Sequence, residues 1–312
     1  MRIVFTTIHF CLTAIILGSS QTLLAQTVVV TPAPSTQRMA DRLERIVQAT
    51  DPMANQFMNQ ERAQACAKIV EQAKSDSEIL SSQLRWAVEL LNSGQTEMAI
   101  QLFDHLAQIY EANAEVINLK NQSLLRTVRA VANLRRGEQD NCLTNHTSES
   151  CLFPIHGSGV HAVQRGSRVA TQILTEQFNK IPDDLRARWL LNVAYMTLGE
   201  YPDKVPSQWR LDPKLFESQY DIKRFPNIAG DLGVDVDDLA GGSIIEDFDG
   251  DGYLDIMASS MALRGQLRLF HNNVDGTFSD RTSEAGLIGE VGGLNIVQTE
   301  YWVRERRGKR RF

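Results

Sequence analysis

The nine residues Asp247–Asp255 (DFDGDGYLD) constrain this chain more than any other stretch, because they place four carboxylates around two glycines. Charges of one sign packed this closely repel one another unless a cation or water screens them. Ca²⁺ takes six to eight oxygen ligands, and a D-x-D-x-D-G-x-x-D run supplies them from one tight turn. The pattern therefore predicts calcium ligands on the side chains and one main-chain carbonyl: Asp247, Asp249, Asp251, Asp255 and the carbonyl of Tyr253.

The residues on either side of this loop decide what kind of calcium loop it is. Short apolar runs with β character flank it at 242–245 and 254–257, where an EF-hand would have two amphipathic helices. An EF-hand also needs a bidentate Glu at the twelfth position, which here is Ala258. The sequence thus predicts a β-hairpin with a calcium-binding turn, and a solvated acidic turn without metal is the alternative.

The N-terminus has the features of a secretory signal peptide over residues 1–25. Arg2 precedes an apolar stretch at 8–17, which is too short to be a permanent membrane span. A proline-containing linker, 26–36, follows. We expect an exported protein, located in the periplasm, on the cell surface or outside the cell, where calcium is abundant.

Three cysteines remain after such a signal peptide. In an oxidising compartment the close pair Cys142 and Cys151 is expected to form a disulfide, contributing about 2–3 kcal/mol by loop closure. Cys66 lies in an alanine-rich helical stretch and is expected to be a buried thiol.

Residues 37–205 have helical periodicity and form the first predicted domain. Its segment 86–103 resembles a tetratricopeptide repeat, with small residues where two helices approach, a glycine in the turn and large apolar residues in the groove. These positions are Ala87, Leu90, Gly94, Ala99 and Phe103. The segments ending at Gly137 and Gly199 repeat the pattern of a helix followed by a glycine, at spacings that depart from the usual period of about 34 residues.

An insertion between these helices, 142–166, carries His146, His156 and His161 near two cysteines. Their spacing matches no zinc signature, so a transition-metal site is the less favoured interpretation. The favoured one is a structured insertion whose polar groups cap neighbouring helices.

A proline-containing linker, 206–225, leads to a β region at 226–301. Four short strands are expected there, at 239–245, 254–259, 266–272 and 277–279, with the acidic loop between the first two. This is the make-up of one propeller blade. The predicted fold class is therefore α+β multidomain, with a tetratricopeptide-like helical domain followed by an incomplete β-propeller of about one blade.

Three segments of the β region resemble FG-GAP or VCBS-type repeats: the loop 247–256, the turn 269–280 and the segment 283–287. Placed after helices, they are similar to the bacterial cartilage-acidic-protein-like group, also called the ASPIC/UnbV family. The resemblance implies an exported protein with an integrin-α-like propeller whose blades carry calcium loops. It implies no defined catalytic activity.

The C-terminus departs from that pattern. Another acidic loop would follow residue 301 in such repeats, whereas 302–312 is basic. The net charge is −6, but the last nine residues carry +5, so the rest of the chain is acidic. We expect a truncated family member, with a shift of reading frame as the hypothesis.

Three classes of function fit these features unequally. The favoured one is a non-enzymatic, calcium-binding interaction or adhesion protein that binds an extracellular or periplasmic protein or polysaccharide. The alternative is an exported hydrolase that uses Glu246 or a loop Asp as acid or base, although no nucleophile elbow, H-E-x-x-H motif or P-loop is present. An acidic body disfavours nucleic acid as a partner, despite the basic tail.

Overall fold

The computed structural model describes residues 34–143, 147, 149–220 and 225–298. The predicted signal peptide, the basic tail and His146 lie outside the described residues. Eight α-helices come first: α1 Pro34–Ala49, α2 Asn59–Gln72, α3 Asp76–Asn92, α4 Thr96–Ala112, α5 Leu119–Cys142, α6 Arg165–Lys180, α7 Leu185–Thr197 and α8 Ala229–Leu232. Four strands follow: β1 Ala240–Glu246, β2 Asp255–Ser260, β3 Arg268–Asn272 and β4 Phe278–Asp280. The predicted α+β order is confirmed.

From α2 to α7, each helix packs against the next one in the chain. Local signals set several helix ends. At the start of α3, Ser75 accepts a hydrogen bond from the Glu78 amide while the Glu78 carboxylate accepts one from the Ser75 amide. At the start of α7, Asp184 accepts from the amides of Arg186 and Ala187. These caps fix where α3 and α7 begin.

The α3–α4 pair buries the small and large apolar residues that the sequence analysis identifies in 86–103. Ala87, Ala99 and Phe103 are fully buried and Leu90 nearly so, in a core shared with α2 and α5. Gly94 occupies the turn with φ +82°, a backbone conformation that L side chains rarely adopt. A second core forms where α5, α6 and α7 meet, from residues including Ala170, Leu174, Phe178 and Leu191.

The interpretation of Gly137 as the end of a helix is wrong. Helix α5 continues past it to Cys142, and Gly137 lies where α5 crosses α6. A Cβ placed on Gly166 would come within 2.7 Å of the Gly137 amide nitrogen and closer still to the Asn133 carbonyl oxygen. Glycine is therefore required at 166 by the close approach of α6 to the α5 backbone. At Gly137 a Cβ would lie 3.1 Å from Nδ1 of His161, so a small residue there leaves room for this ring. Gly199, with φ +69°, does follow the end of α7.

The insertion between α5 and α6 packs on neighbouring helix ends. The His161 amide donates a 2.8 Å hydrogen bond to the Thr197 carbonyl oxygen at the end of α7. Its ring is buried, with Nδ1 3.4 Å from the Ser167 hydroxyl. Among the described residues, no group with metal-binding geometry includes this insertion. The capping interpretation thus agrees with the contacts of His161.

The structure contains no disulfide between Cys142 and Cys151, in contrast to the expectation from the sequence. Burial, followed by the neighbouring Cys151, raises the pKa of the Cys142 thiol and so favours its protonated, less nucleophilic form. Cys66 is buried on α2, as predicted, and its burial raises the pKa of its thiol.

The four strands form one antiparallel sheet in the order β1-β2-β3-β4. Ile245 pairs with Ile256 and Glu246 with Asp255, so the acidic residues 247–254 form the loop that closes the β1–β2 hairpin. Phe270 on β3 pairs with Ile256 on β2. Each strand lies within about two residues of its predicted position, as expected for a partial propeller blade.

The glycine-rich segment 292–298 follows β4. Its sequence resembles the start of another blade, but residues 292–298 do not form a strand. They lie against β1, where a Cβ on Gly242 would clash with the side chain of Asn295 and the backbone of Ile296. The blade also lies close to α1 at Gly289. A Cβ added to Gly289 would be 2.9 Å from the Cβ of Ala40.

Candidate metal-binding loop

The loop between β1 and β2 is folded by its own carboxylates. Asp247 accepts hydrogen bonds from three loop amides: Oδ1 from Gly250 at 2.7 Å and Asp251 at 3.1 Å, and Oδ2 from Gly252 at 3.0 Å. Asp249 Oδ1 accepts from the Asp251 amide at 3.1 Å. Carboxylates that accept amide protons at i+2 to i+5 give the chain a tight turn without regular secondary structure.

Two glycines make this turn possible. Gly250 has φ +80° and Gly252 has φ +94°, both in the region that L side chains rarely adopt. A Cβ at either position would meet no atom within 4 Å, so the requirement for glycine comes from the backbone conformation and not from crowding.

The loop brings three of the predicted ligands together. Asp247, Asp249 and Asp251 offer carboxylate oxygens that lie within 4.8 Å of one another. Asp249 and Asp251 are exposed and Asp247 is half-buried, so a hydrated cation can reach them. Oxygen ligands in one turn, open to solvent, are the chemistry that Ca²⁺ prefers.

Tyr253 lies in the same loop, where its amide donates a 2.8 Å hydrogen bond to Asp251 Oδ1. This bond fixes the backbone just before β2. The predicted role of its carbonyl oxygen as a ligand remains a prediction.

Asp255 is not a member of this group of three, but one of its carboxylate oxygens lies within 4.8 Å of an oxygen of Asp249. The Asp255 side chain is 2% exposed. Oδ2 accepts a hydrogen bond from the Phe248 amide at 3.2 Å, and Oδ1 accepts one from the Asn272 amide at 2.9 Å. Asp255 thus joins the loop, β2 and β3, and its role as a fifth calcium ligand remains a prediction.

The sequence interpretation missed His271. Its Nδ1 lies 3.2 Å from Asp249 Oδ2 and 3.2 Å from Asp255 Oδ1, and the three residues form a second group with metal-binding geometry. The antiparallel register that pairs Ile256 with Phe270 brings His271 opposite Asp255. The sequence does place a histidine near the end of the third predicted strand. Only the register between β2 and β3 shows that this histidine lies beside Asp255.

A second polar turn lies between β3 and β4. Asp275 Oδ1 accepts from the Thr277 amide at 2.9 Å and from its hydroxyl at 2.6 Å, and these hydrogen bonds lower the pKa of the Asp275 carboxyl. Asn272 Oδ1 accepts from the Val274 amide, and its side-chain nitrogen donates to the Leu254 carbonyl. This turn is thereby tied to the end of the acidic loop.

The family model of the FG-GAP-like repeat matches residues 247–297. The match begins at the first aspartate of the loop and extends beyond β4, so it covers the site just described. Comparisons with curated proteins and with solved structures found no match. None of the described helices has the length and hydropathy needed to cross a lipid bilayer.

Proposed function

We propose that this chain is an exported, calcium-binding interaction protein of the adhesion type, without catalytic activity of its own. The observation that carries the proposal is the acidic turn of 247–251, which lies within the FG-GAP-like match and gathers three carboxylates. Calcium would fix the β1–β2 hairpin, and the protein surface would bind the partner.

The partner we propose is an extracellular or periplasmic protein or polysaccharide. Aromatic side chains at one end of the helical region support a binding surface. The Phe153 and Trp189 rings pack edge to face at 5.2 Å, and both side chains remain more than 40% exposed. Half-exposed aromatic rings are typical of binding surfaces because they contribute a large contact area at low entropic cost.

The wider family resemblance remains part of the proposal. Membership of the cartilage-acidic-protein-like group and the tetratricopeptide-like character of the helices are supported by the order of helices before blade and by the buried positions of α3 and α4.

Calorimetric titration of the metal-free chain with Ca²⁺ tests the central claim. We expect saturable binding that weakens at least tenfold in Asp251→Asn, which keeps the side-chain shape but removes one carboxylate charge. Asp231→Asn, an exposed aspartate on α8, is the matched control and should bind like the parent chain. Absence of calcium heat in the parent chain, or equal affinity in Asp251→Asn, would refute the proposal.

A further inference from the structure

The group formed by Asp249, Asp255 and His271 differs chemically from the calcium cluster. It contains an imidazole nitrogen and a buried carboxylate, whereas the cluster of Asp247, Asp249 and Asp251 offers only oxygen atoms. Asp249 belongs to both groups, and Asp255 is also a predicted calcium ligand. Imidazole with carboxylate suits first-row transition metals, whereas Ca²⁺ prefers an all-oxygen set.

The spacing of the donor atoms fits a small divalent metal. His271 Nδ1 is 3.2 Å from Asp249 Oδ2 and 3.2 Å from Asp255 Oδ1. An ion about 2.1 Å from the nitrogen and from either oxygen would subtend an angle of about 100°, between the octahedral value of about 90° and the tetrahedral value of about 109°. The two carboxylate oxygens lie within 4.8 Å of one another, so all three donor atoms border one small volume.

Two of the three donors are held in place before any metal binds. Asp255 and His271 lie on adjacent paired strands. Both oxygens of Asp255 accept backbone hydrogen bonds, from Phe248 and Asn272. Such outer hydrogen bonds orient metal ligands and increase affinity.

The third donor and the solvent complete the site. Asp249 comes from the exposed loop, and its side chain is 51% exposed, so it can move toward an ion. The His271 side chain is 25% exposed, which gives an ion and its remaining water ligands access. Three protein ligands with open positions for water make up an accessible metal site and not a closed structural one.

We propose that His271 Nδ1, Asp249 and Asp255 bind a divalent transition metal of the Zn²⁺ or Co²⁺ type. This site does not depend on the proposed calcium function. Because Asp249 contributes to both sites, the two ions compete for it, and saturating Ca²⁺ weakens transition-metal binding.

The experiment titrates the metal-free full chain with Co²⁺ and Zn²⁺ by calorimetry, with Co²⁺ visible absorption as a second readout. We expect one site whose affinity falls at least tenfold in His271→Ala, while Ca²⁺ binding by this variant is unchanged. Asp251→Asn should show the reverse, with weakened Ca²⁺ binding and retained Co²⁺ binding. Asp249→Asn should weaken both.

Matched variants separate the site from general effects. His105→Ala removes an exposed histidine of α4 and should leave Co²⁺ binding unchanged. His271→Phe keeps a ring of similar volume without a nitrogen donor and replaces His271→Ala if circular dichroism shows that the alanine variant is unfolded.

The outcomes distinguish the two metal proposals. Equal Co²⁺ affinity in the parent chain and in a folded His271 variant overturns the transition-metal site. Loss of Co²⁺ binding in His271→Ala with no Ca²⁺ binding in the parent chain supports this site and refutes the calcium proposal alone.

Discussion

The helical region and the blade are held together by different means. The two helical cores contain many fully buried apolar side chains, among them Phe103, Leu106 and Leu191. In residues 225–298, Phe270 is the one buried hydrophobic side chain, and Asp255 is more deeply buried than it. The sheet therefore has almost no hydrophobic core of its own.

This difference shows where each region obtains its stability. Burial of apolar surface is the main driving force of folding, and the helical region satisfies it internally. The blade instead relies on strand hydrogen bonds and on turns organised by Asp247, Asp255 and Asp275. A sheet with one weakly covered face gains most from a bound ion, a partner or a further blade.

The largest effect is expected from opening the helical core. Phe103→Ala removes a fully buried ring between α3 and α4 and should lower the free energy of unfolding by about 3–5 kcal/mol. Urea denaturation followed by circular dichroism measures this. Met98→Ala on the same helix removes a side chain that is 49% exposed and should change stability by less than about 1 kcal/mol. Similar losses in both variants would contradict the location of the core.

The next effect should be confined to the blade. Asp255→Ala leaves the partly buried amides of Phe248 and Asn272 without their acceptor, at a cost of up to about 1–3 kcal/mol for each unsatisfied group. Hydrogen exchange should then accelerate in β1, β2 and β3 while α3 to α6 keep their protection. Accelerated exchange spread evenly over both regions would show that the blade does not open separately.

A smaller, pH-dependent effect is expected in the helical region. Burial lowers the pKa of His161 below its ordinary value, although Glu138 and Asp140 oppose this shift. The unfolded chain therefore binds a proton more readily than the folded one, so stability is complete above about pH 6.5 and decreases as pH falls below it.

Urea midpoints at pH 7.5 and 5.5 measure this dependence. His161→Gln should reduce the difference between the two midpoints, whereas His105→Gln, at an exposed position, should leave it as in the parent chain. If the difference between the two urea midpoints is the same in His161→Gln as in the parent chain, other groups cause the pH dependence.

The smallest effect tests the contact between the two regions. Glu44 of α1 lies 3.8 Å from Arg264, and both side chains are more than half exposed. Exposed ion pairs contribute about 0–1 kcal/mol, so Glu44→Gln should produce a change near the detection limit of denaturation experiments. A clear loss of blade protection in hydrogen exchange would mean that α1 supports the sheet more strongly than this pair indicates.

Much of the fold was predictable because the relevant signals are local. Apolar periodicity located the helices, and short β runs around turn residues located the four strands. The small and aromatic positions of 86–103 are buried where a helical pair requires them to be. The acidic loop was identified from its carboxylate spacing alone, and three of its five predicted ligands lie together.

The errors and omissions concern contacts between distant residues. Gly137 resembles a helix terminator in the sequence, but it lies within α5, where a Cβ would come 3.1 Å from the ring of His161, 24 positions later. His271 can be recognised as a possible metal ligand only from the register between β2 and β3, which brings it opposite Asp255.

The sequence by itself determined the helical and strand segments, the glycine turns and the acidic loop, because backbone preference and charge spacing act within a few residues. Only the tertiary structure decided that Asp255 is buried beside His271 and that Asp249 is shared by two groups of donors. Those positions depend on strand register, which is set by the pairing of whole strands and not by any short run of residues.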